Sequence, residues 1–361
     1  MDMQSLLADI QHWAAELGFD RVAITDTDLG EHPQHLRRWL DAGHHASMDW
    51  MERHADLRAE PEQLVPGTVR ILSARMHYAP PDDDPLAVLQ RGDLAYISRY
   101  ALGRDYHKVL RPRLAKLAAR IDAAVGGAGF RAFTDSAPVL EKAIAEKSGL
   151  GWIGKNTLLL SRDAGSLFFL GEIFTDVPLP VDVADTRDHC GSCHACLDVC
   201  PTNAFVGPRQ LDAGRCIAYL TIEHRGSIPE ELRPLMGNRV FGCDDCQLVC
   251  PWNKFARTTA EDDFHPRHQL EASDLVELFL WSEATFLDRT AGSAIRRTGY
   301  SGWLRNLAVA LGNAPASPRI IAALEARRSD VDAMVGEHVD WALQRQREGL
   351  RAGAGIARGS A

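Results

Sequence analysis

The sequence predicts an α+β protein in three parts: an N-terminal α/β domain over residues 1–180, a ferredoxin-like segment over 181–258, and a mainly helical region over 259–361. Three observations lead there. Strand-like and helix-like periodicities alternate through the first half, all eight cysteines lie between Cys190 and Cys250, and beyond His265 the apolar spacing is that of short helices. A chain of 361 residues has room for two or three domains, and its 25% charged residues are ordinary for a globular protein. No apolar run approaches the ~20 residues that span a bilayer, and Met1-Asp-Met-Gln does not resemble a signal peptide. A cytoplasmic protein is expected. The formal net charge of -9 argues against general nucleic-acid coating but leaves room for a local basic face.

Taken in order, residues 3–18 carry Leu6, Leu7, Ile10, Trp13, Ala14 and Leu17 at helical spacing and stop at Gly18. Arg21–Thr25 reads as a strand and His35–Ala42 as a helix, followed by a connector with His44 and His45, which reads as solvated surface rather than a metal site. Arg70–Tyr78 alternates as a strand, and Ala79–Pro85 is a loop. The next helix presents Lys108, Arg111, Arg113, Lys116 and Arg120, either a solvated face or a phosphate-contacting one. Phe130–Thr134 is a strand, Asp135 or Ser136 is placed to cap a helix over 139–147, and Ser148–Thr157 packs three glycines into six residues without matching a dinucleotide fingerprint. Thr157–Ser161 and Leu167–Phe174 read as a hairpin turning at Arg162–Gly165. After the cysteine segment, helices are expected over 275–281, 282–287, 300–311 and 320–324, with Arg289, Arg296, Arg297 and Arg305 as a second basic group. The last ten residues or so are expected to be disordered.

The cysteines carry the chemistry. Cys190-Gly-Ser-Cys193-His-Ala-Cys196-Leu-Asp-Val-Cys200-Pro201 is the C-x2-C-x2-C-x3-C-P run that binds 4Fe-4S clusters in bacterial ferredoxins, where the fourth cysteine reaches the other cluster. The answering run, Cys243-Asp-Asp-Cys246-Gln-Leu-Val-Cys250-Pro251, lacks its first cysteine, and Cys216 is the one left to replace it. Cross-ligation then assigns Cys190, Cys193, Cys196 and Cys250 to one cluster and Cys200, Cys216, Cys243 and Cys246 to the other. Zinc prefers two separated C-x2-C pairs, and a disulfide framework suits neither the spacing nor the compartment. Two clusters make a path for single electrons, which needs an acceptor, and the roughly 180 residues ahead of them have room to hold one. With no nicotinamide fingerprint, an external carrier such as a flavodoxin or ferredoxin is the expected donor.

Four motifs, Ser98–His107, Phe133–Lys142, Gly149–Asn156 and Ile222–Pro229, together with the displaced Cys216, resemble the epoxyqueuosine reductase family. The resemblance runs in order from the first helix to about Leu311. It implies a cobalamin-dependent iron–sulfur enzyme, with cobalamin held between the N-terminal and cluster domains without a protein histidine, that reduces epoxyqueuosine to queuosine at the wobble position of tRNA. Consistently, no D-x-H-x-x-G motif occurs. It implies Asp135 as proton donor, since the opened epoxide leaves a basic oxygen and burial against an apolar cofactor favours a protonated carboxyl. It further implies cofactor contacts from Arg58, Ser98, Asp135, Lys155, Asn156, Thr157, Leu159, Ala218, Cys243 and Asp244, a tRNA contact from Arg225, and a helical-repeat-like C-terminal region against the anticodon stem. A monomer is expected. The competing readings are a reductive dehalogenase, which such a resemblance would give a twin-arginine leader and a tyrosine donor, and a non-catalytic electron carrier or cobalamin-handling protein.

Overall fold

The structure, a computed structural model, describes residues 3–81, 84–184 and 187–359, with side chains of the final helix described through Ala352. Two expectations fall partly outside that range, at Asp82 and Asp83 of the 79–85 loop and at the last two residues of the tail; the rest of that tail, expected to be disordered, continues the final helix. The backbone of the final helix runs Ala333–Gly359.

Four antiparallel strands form the central sheet, in the spatial order Arg21–Thr25, Arg70–His77, Phe168–Thr175, Phe130–Phe133. The expected hairpin is therefore not formed. Leu159–Leu160 pairs with Trp152–Ile153 instead, and a single bridge from Ser161 to Gly165 closes the turn. The reason lies in Phe168–Thr175 itself. Phe168, Phe169, Ile173 and Phe174 are buried and point to both faces, so the strand needs a neighbour on each edge and cover on each side, which a lone hairpin cannot give. Glu172 is the exception in that run, a carboxyl with no exposed surface in the middle of the sheet.

Helices cover both faces. On one, the Met3–Glu16 and Tyr106–Val125 helices present Leu6, Ile10, Leu110, Leu114, Leu117 and Ile121 to Leu72, Ala74 and Ile173. The spacing of Leu110, Leu114, Leu117 and Ile121 is one helical stripe, and each such side chain stabilises the fold by about 1.5–3 kcal/mol. On the other face the short Glu141–Lys147 helix brings Ile144 and Ala145 against Ile71, Phe133, Phe174 and Ala23. The sheet therefore fixes where both helices start, and their starts carry the site.

The remaining chain is interwoven with this sandwich. Tyr96–Ile97 pairs in parallel with Arg239–Phe241, joining the N-terminal half to the stretch between Cys216 and Cys243. The largest core cluster forms on that joint, where Ala95, Ile97, Val240 and Phe241 meet Phe279, Phe286, Trp303, Leu307, Leu311 and Val339. The C-terminal helices, Leu275–Phe279, Glu283–Arg289, Gly299–Asn313, Pro318–Arg327 and Ala333–Gly359, thus share a core with both preceding segments. Asp274, Ser282 and Ser317 cap three of them. Among the described residues no helix is long and apolar enough to cross a membrane.

Candidate active site

The Phe130–Phe133 strand ends in a turn that presents Asp135 at φ +53°, a conformation that aspartate tolerates better than most residues. The following helix starts at Glu141 without a side-chain cap, so neither Asp135 nor Ser136 serves as the N-cap that local sequence allows. The carboxylate is free for other work. Its side chain is 58% exposed, so the protein alone does not bury it. The Tyr106 hydroxyl donates to Oδ2, His107 Nε2 lies 3.7 Å from the same oxygen, and the Asp135 amide donates to Glu141 Oε1 at 2.5 Å.

Tyr106 and His107 open the Tyr106–Val125 helix, whose N-cap Asp105 accepts from the His107 amide. Asp105 Oδ1 also lies 2.7 Å from His107 Nδ1, so the imidazole is set between two carboxyls. Burial opposes its charge, but the bond to Asp105 and the charges of Asp105 and Asp135 outweigh it and raise the pKa. The Tyr106 ring stacks on Phe169 with centroids 4.3 Å apart. Burial and the Asp135 charge push its hydroxyl well above the ordinary tyrosine range, so it stays a donor. Glu141, half-buried, is pushed up to about 7 by burial and by Asp135.

Other predicted residues gather around this turn. Arg58 is 9% exposed, donates to Trp50 O at 3.2 Å, and has its charge disfavoured by burial and favoured by Asp135. Tyr100 lies within electrostatic reach of Asp135, Asp244, Glu223 and Arg297, which ties the acid turn to the cysteine side. There Asp244, buried, accepts from Ser98 Oγ at 2.5 Å, Tyr96 Oη at 2.9 Å and the Arg99 amide at 2.8 Å. The chain just ahead of it turns at Gly242, φ +71°, where a Cβ would sit 2.5 Å from Ser98 Cβ. Asn156 Nδ2 donates to Cys246 O at 3.3 Å, and Lys155 Nζ to Gly191 O at 2.7 Å and Cys193 O at 2.9 Å. Thr157, at φ +65°, accepts Lys142 Nζ on its carbonyl. Leu159 is buried, and Ala218 lies on the Ile217–Ile222 helix that follows Cys216.

All eight cysteines are free thiols, and no three His, Cys, Asp or Glu side chains among the described residues close on a single-ion site. Burial and then Cys250, Cys190 and Cys193 push Cys196 up to about 11, the four members of the first set. Burial raises Cys246, followed by the charges of Cys216, Asp244, Cys196 and Cys200, so thiols of both sets lie close to it.

One arginine departs from expectation. Arg305 is fully buried and gives its guanidinium to the carbonyls of Leu220, His224 and Gly226, so it pins the 221–229 insertion rather than joining a basic surface. Arg225 donates to Thr298 O at 3.0 Å and Arg297 O at 2.9 Å. Arg297 in turn holds Glu223 through bonds of 2.7 and 2.9 Å and feels Asp135 and Tyr106. On the basic helix Arg113 pairs with Glu261 and Arg120 with Glu16, while Lys108, Arg111 and Lys116 lie on its outer side. Lys108 also borders a depression of about 550 Å³ lined by Arg104, Arg267, Asp262 and Asp263, where Arg104 pairs with Asp263 at 2.8 Å.

Tyr106, His107, Glu141 and Glu172 are candidate site residues to which the sequence alone assigns no role, and Arg297, expected only as part of a basic group, joins them. Tyr106, His107 and Glu141 lie inside the family-like motifs, and Glu172 is detectable as a lone carboxylate in an apolar strand.

Similarity to known proteins bears on the same residues. A family model described as epoxyqueuosine reductase QueG matches residues 58–136, and one described as a 4Fe-4S double cluster binding domain matches residues 189–253. An epoxyqueuosine reductase of Pseudomonas aeruginosa is 62% identical over 347 residues, 96% of each chain. That of Escherichia coli is 55% identical over 348 residues, 96% of this chain and 91% of its own. Among solved structures, the Bacillus subtilis epoxyqueuosine reductase with its catalytic aspartate loop swung out of the active site superposes with a TM-score of 0.84 at 27% identity, over 96% of this chain and 91% of that one. An epoxyqueuosine reductase solved with an epoxyqueuosine-modified tRNA stem loop shares the fold, with a TM-score of 0.80 at 24% identity over 96% of this chain and all of that one.

Proposed function

The chain belongs to the epoxyqueuosine reductase family, and we infer from its site that it reduces epoxyqueuosine to queuosine at the wobble position of tRNA with Asp135 as the proton donor. One observation carries the acid assignment: the Asp135 carboxyl is turned out of its own helix, open on one side, and braced by Tyr106 on the other.

Removing the epoxide oxygen as water takes two electrons and two protons and leaves an alkene. The breaking C–O bond puts negative charge on oxygen, and Asp135 supplies a proton there. Tyr106, donating to the same carboxyl, aims it, and His107, carrying its raised affinity for a proton between Asp105 and Asp135, is placed to return one. Arg58 and the Arg297–Glu223 pair complete the charged wall.

The donor sets suit the cofactors the family implies. The Cys190, Cys193, Cys196, Cys250 and Cys200, Cys216, Cys243, Cys246 groups would hold two 4Fe-4S clusters. Between them and Asp135, the arginine, hydroxyl and amide groups of Arg58, Ser98, Asn156 and Thr157, with the backbone near Leu159, Ala218, Cys243 and Asp244, would hold an amide-fringed corrin. Lys155, tied to the cluster loop through Gly191 O and Cys193 O, would join them. When bound, cobalamin supplies a strongly reducing cobalt centre for opening the epoxide.

The tRNA would meet Lys108, Arg111 and Lys116 and the Arg104–Arg267 depression, with the unstacked wobble base entering the pocket. Arg225 would act through the carbonyls of Arg297 and Thr298, shaping the pocket edge. The helical region from Leu275 onward would lie along the anticodon stem. Such a protein works as a cytoplasmic monomer fed by a one-electron carrier such as a flavodoxin or ferredoxin. The test is nucleoside mass spectrometry on epoxyqueuosine-containing tRNA treated with anaerobically reconstituted, reduced protein. Conversion that requires added cobalamin supports the reading. A protein that binds cobalamin and both clusters yet leaves the epoxide intact contradicts it and favours a carrier.

A further inference from the structure

The turn that presents Asp135 has few anchors of its own. Asp135 sits in the left-handed region, which costs a residue with a side chain conformational energy. Within the turn the Ser136 amide bonds Thr134 O and the Val139 amide bonds Ala137 O. Among the described residues, one side chain accepts a bond from the turn's main chain: Glu141, through Oε1 on the Asp135 amide.

Glu141 is itself backed by Glu172. That carboxyl has no exposed surface and lies opposite Ser73 and Phe133 in the sheet register. Ser73 Oγ donates to its Oε1 at 3.3 Å, but its Oε2 is buried and receives no N–H or O–H donor. The side chain it meets is the carboxyl of Glu141. The cations nearby are engaged elsewhere, Lys142 on Thr157 O at 2.7 Å and His107 beside Asp105, and Asp135 adds a like charge to both glutamates. Two touching carboxyls in an apolar interior do not both ionise, and a buried acceptor without a donor is satisfied by a proton held between them.

We propose that Glu141 and Glu172 form a carboxylate–carboxylic acid pair that latches the Asp135 turn: Glu172 donates its proton to Glu141, and Glu141 carries the charge that grips the Asp135 amide. Both are positioning residues, and their role rests on the reading of Asp135 as the acid. Burial, followed by Glu141, holds Glu172 well above the usual carboxylate range, and burial, followed by Asp135, pushes Glu141 up to about 7. The grip is therefore charge-assisted above about pH 7 and weakens as the pH falls through that value and Glu141 takes up its own proton. The pair titrates as one unit.

Hydrogen–deuterium exchange of the peptide spanning residues 134–140, in cluster- and cobalamin-loaded protein, reads the latch without reference to activity. Glu141→Gln is expected to speed exchange of the Asp135 amide about 10-fold, and Glu141→Ala about 100-fold. Both are expected to lower kcat more than they raise KM and to remove the step near pH 7 from the kcat profile. Glu172→Gln keeps a donor toward Glu141, so it should retain protection, move that step to lower pH, and abolish the infrared C=O band of a buried carboxylic acid. Cluster absorbance equal to wild type certifies each variant as folded. Unchanged exchange in Glu141→Gln and Glu141→Ala overturns the latch even when Asp135→Asn is inactive. An active Asp135→Asn overturns the acid assignment instead, and the exchange rates still decide the latch.

Discussion

Asp244 is the acceptor on which the joint between the pocket and the cysteine segment is built, and its removal has a size that follows from its bonds. It is 3% exposed and takes hydrogen bonds from Tyr96, Ser98 and the Arg99 amide. Asp244→Ala leaves three buried donors without an acceptor at about 1–3 kcal/mol each. Allowing the two hydroxyls to re-aim and a water to enter, the net loss is about 3–6 kcal/mol. Asp244→Asn is a sharper control. Its amide oxygen can keep Tyr96 and the Arg99 amide, which share Oδ2, while its NH2 donates to Ser98 Oγ, so the loss falls to about 1–2 kcal/mol. Anaerobic urea unfolding of cluster-loaded protein, followed by far-ultraviolet circular dichroism, measures both. The ordering wild type, Asn, Ala with the larger gap at Ala is expected. Equal midpoints for Asn and Ala would refute the reasoning, because they would mean that the three donors find other acceptors.

Three further outcomes rest on the same geometry. Gly242→Ala places a Cβ 2.5 Å from Ser98 Cβ at a positive φ, so it should destabilise by about 2–4 kcal/mol, whereas Gly126→Ala, also at positive φ but with open space around it, should cost only the backbone term of about 1–2 kcal/mol; parallel unfolding curves decide. His77 and the buried Arg75 hold Asp20 below the ordinary carboxylate range, and Arg75, overcoming burial, does the same for Asp163. A depressed carboxyl contributes stability above its unfolded pKa of about 4 and loses it as pH falls below that value, so the midpoint gap between wild type and Arg75→Met should shrink below about pH 4. Charge reversal at Lys108, Arg111 and Lys116 should weaken tRNA binding and reduce its salt slope by about one for each phosphate no longer neutralised, read by filter binding at several salt concentrations; an unchanged slope removes that face from the interface.

The cysteine framework is the most legible part of the sequence, because thiol spacing is a local constraint that survives without knowledge of the fold. Asp135 can be named only through its motif. Read locally it is a helix cap, and the structure removes that role by starting the helix at Glu141. The strand at Phe168–Thr175 is evident, but its partners are not. An apolar run says that both faces are covered without saying by what, and the strands that bring Ser73 and Phe133 opposite Glu172 are distant in the chain. Arg305 misleads for a related reason. A charged residue in a helix reads as surface, whereas here three carbonyls of the 221–229 insertion and its start surround it. Glu172 shows the converse, since a carboxylate among Phe168, Phe169, Ile173 and Phe174 is locally inconsistent with its strand, and such inconsistencies mark functional positions.

The most direct test of the central claim is single-turnover conversion of epoxyqueuosine tRNA by Asp135→Asn carrying both clusters and cobalamin, with the visible spectrum and tRNA affinity matched to wild type. General acid catalysis by a positioned carboxyl contributes about 10²–10⁴-fold, so the account predicts a rate reduced by that range with substrate still bound. A variant that forms queuosine at the wild-type rate would contradict it, and would move the proton source to another group of the same wall, His107 or Tyr106.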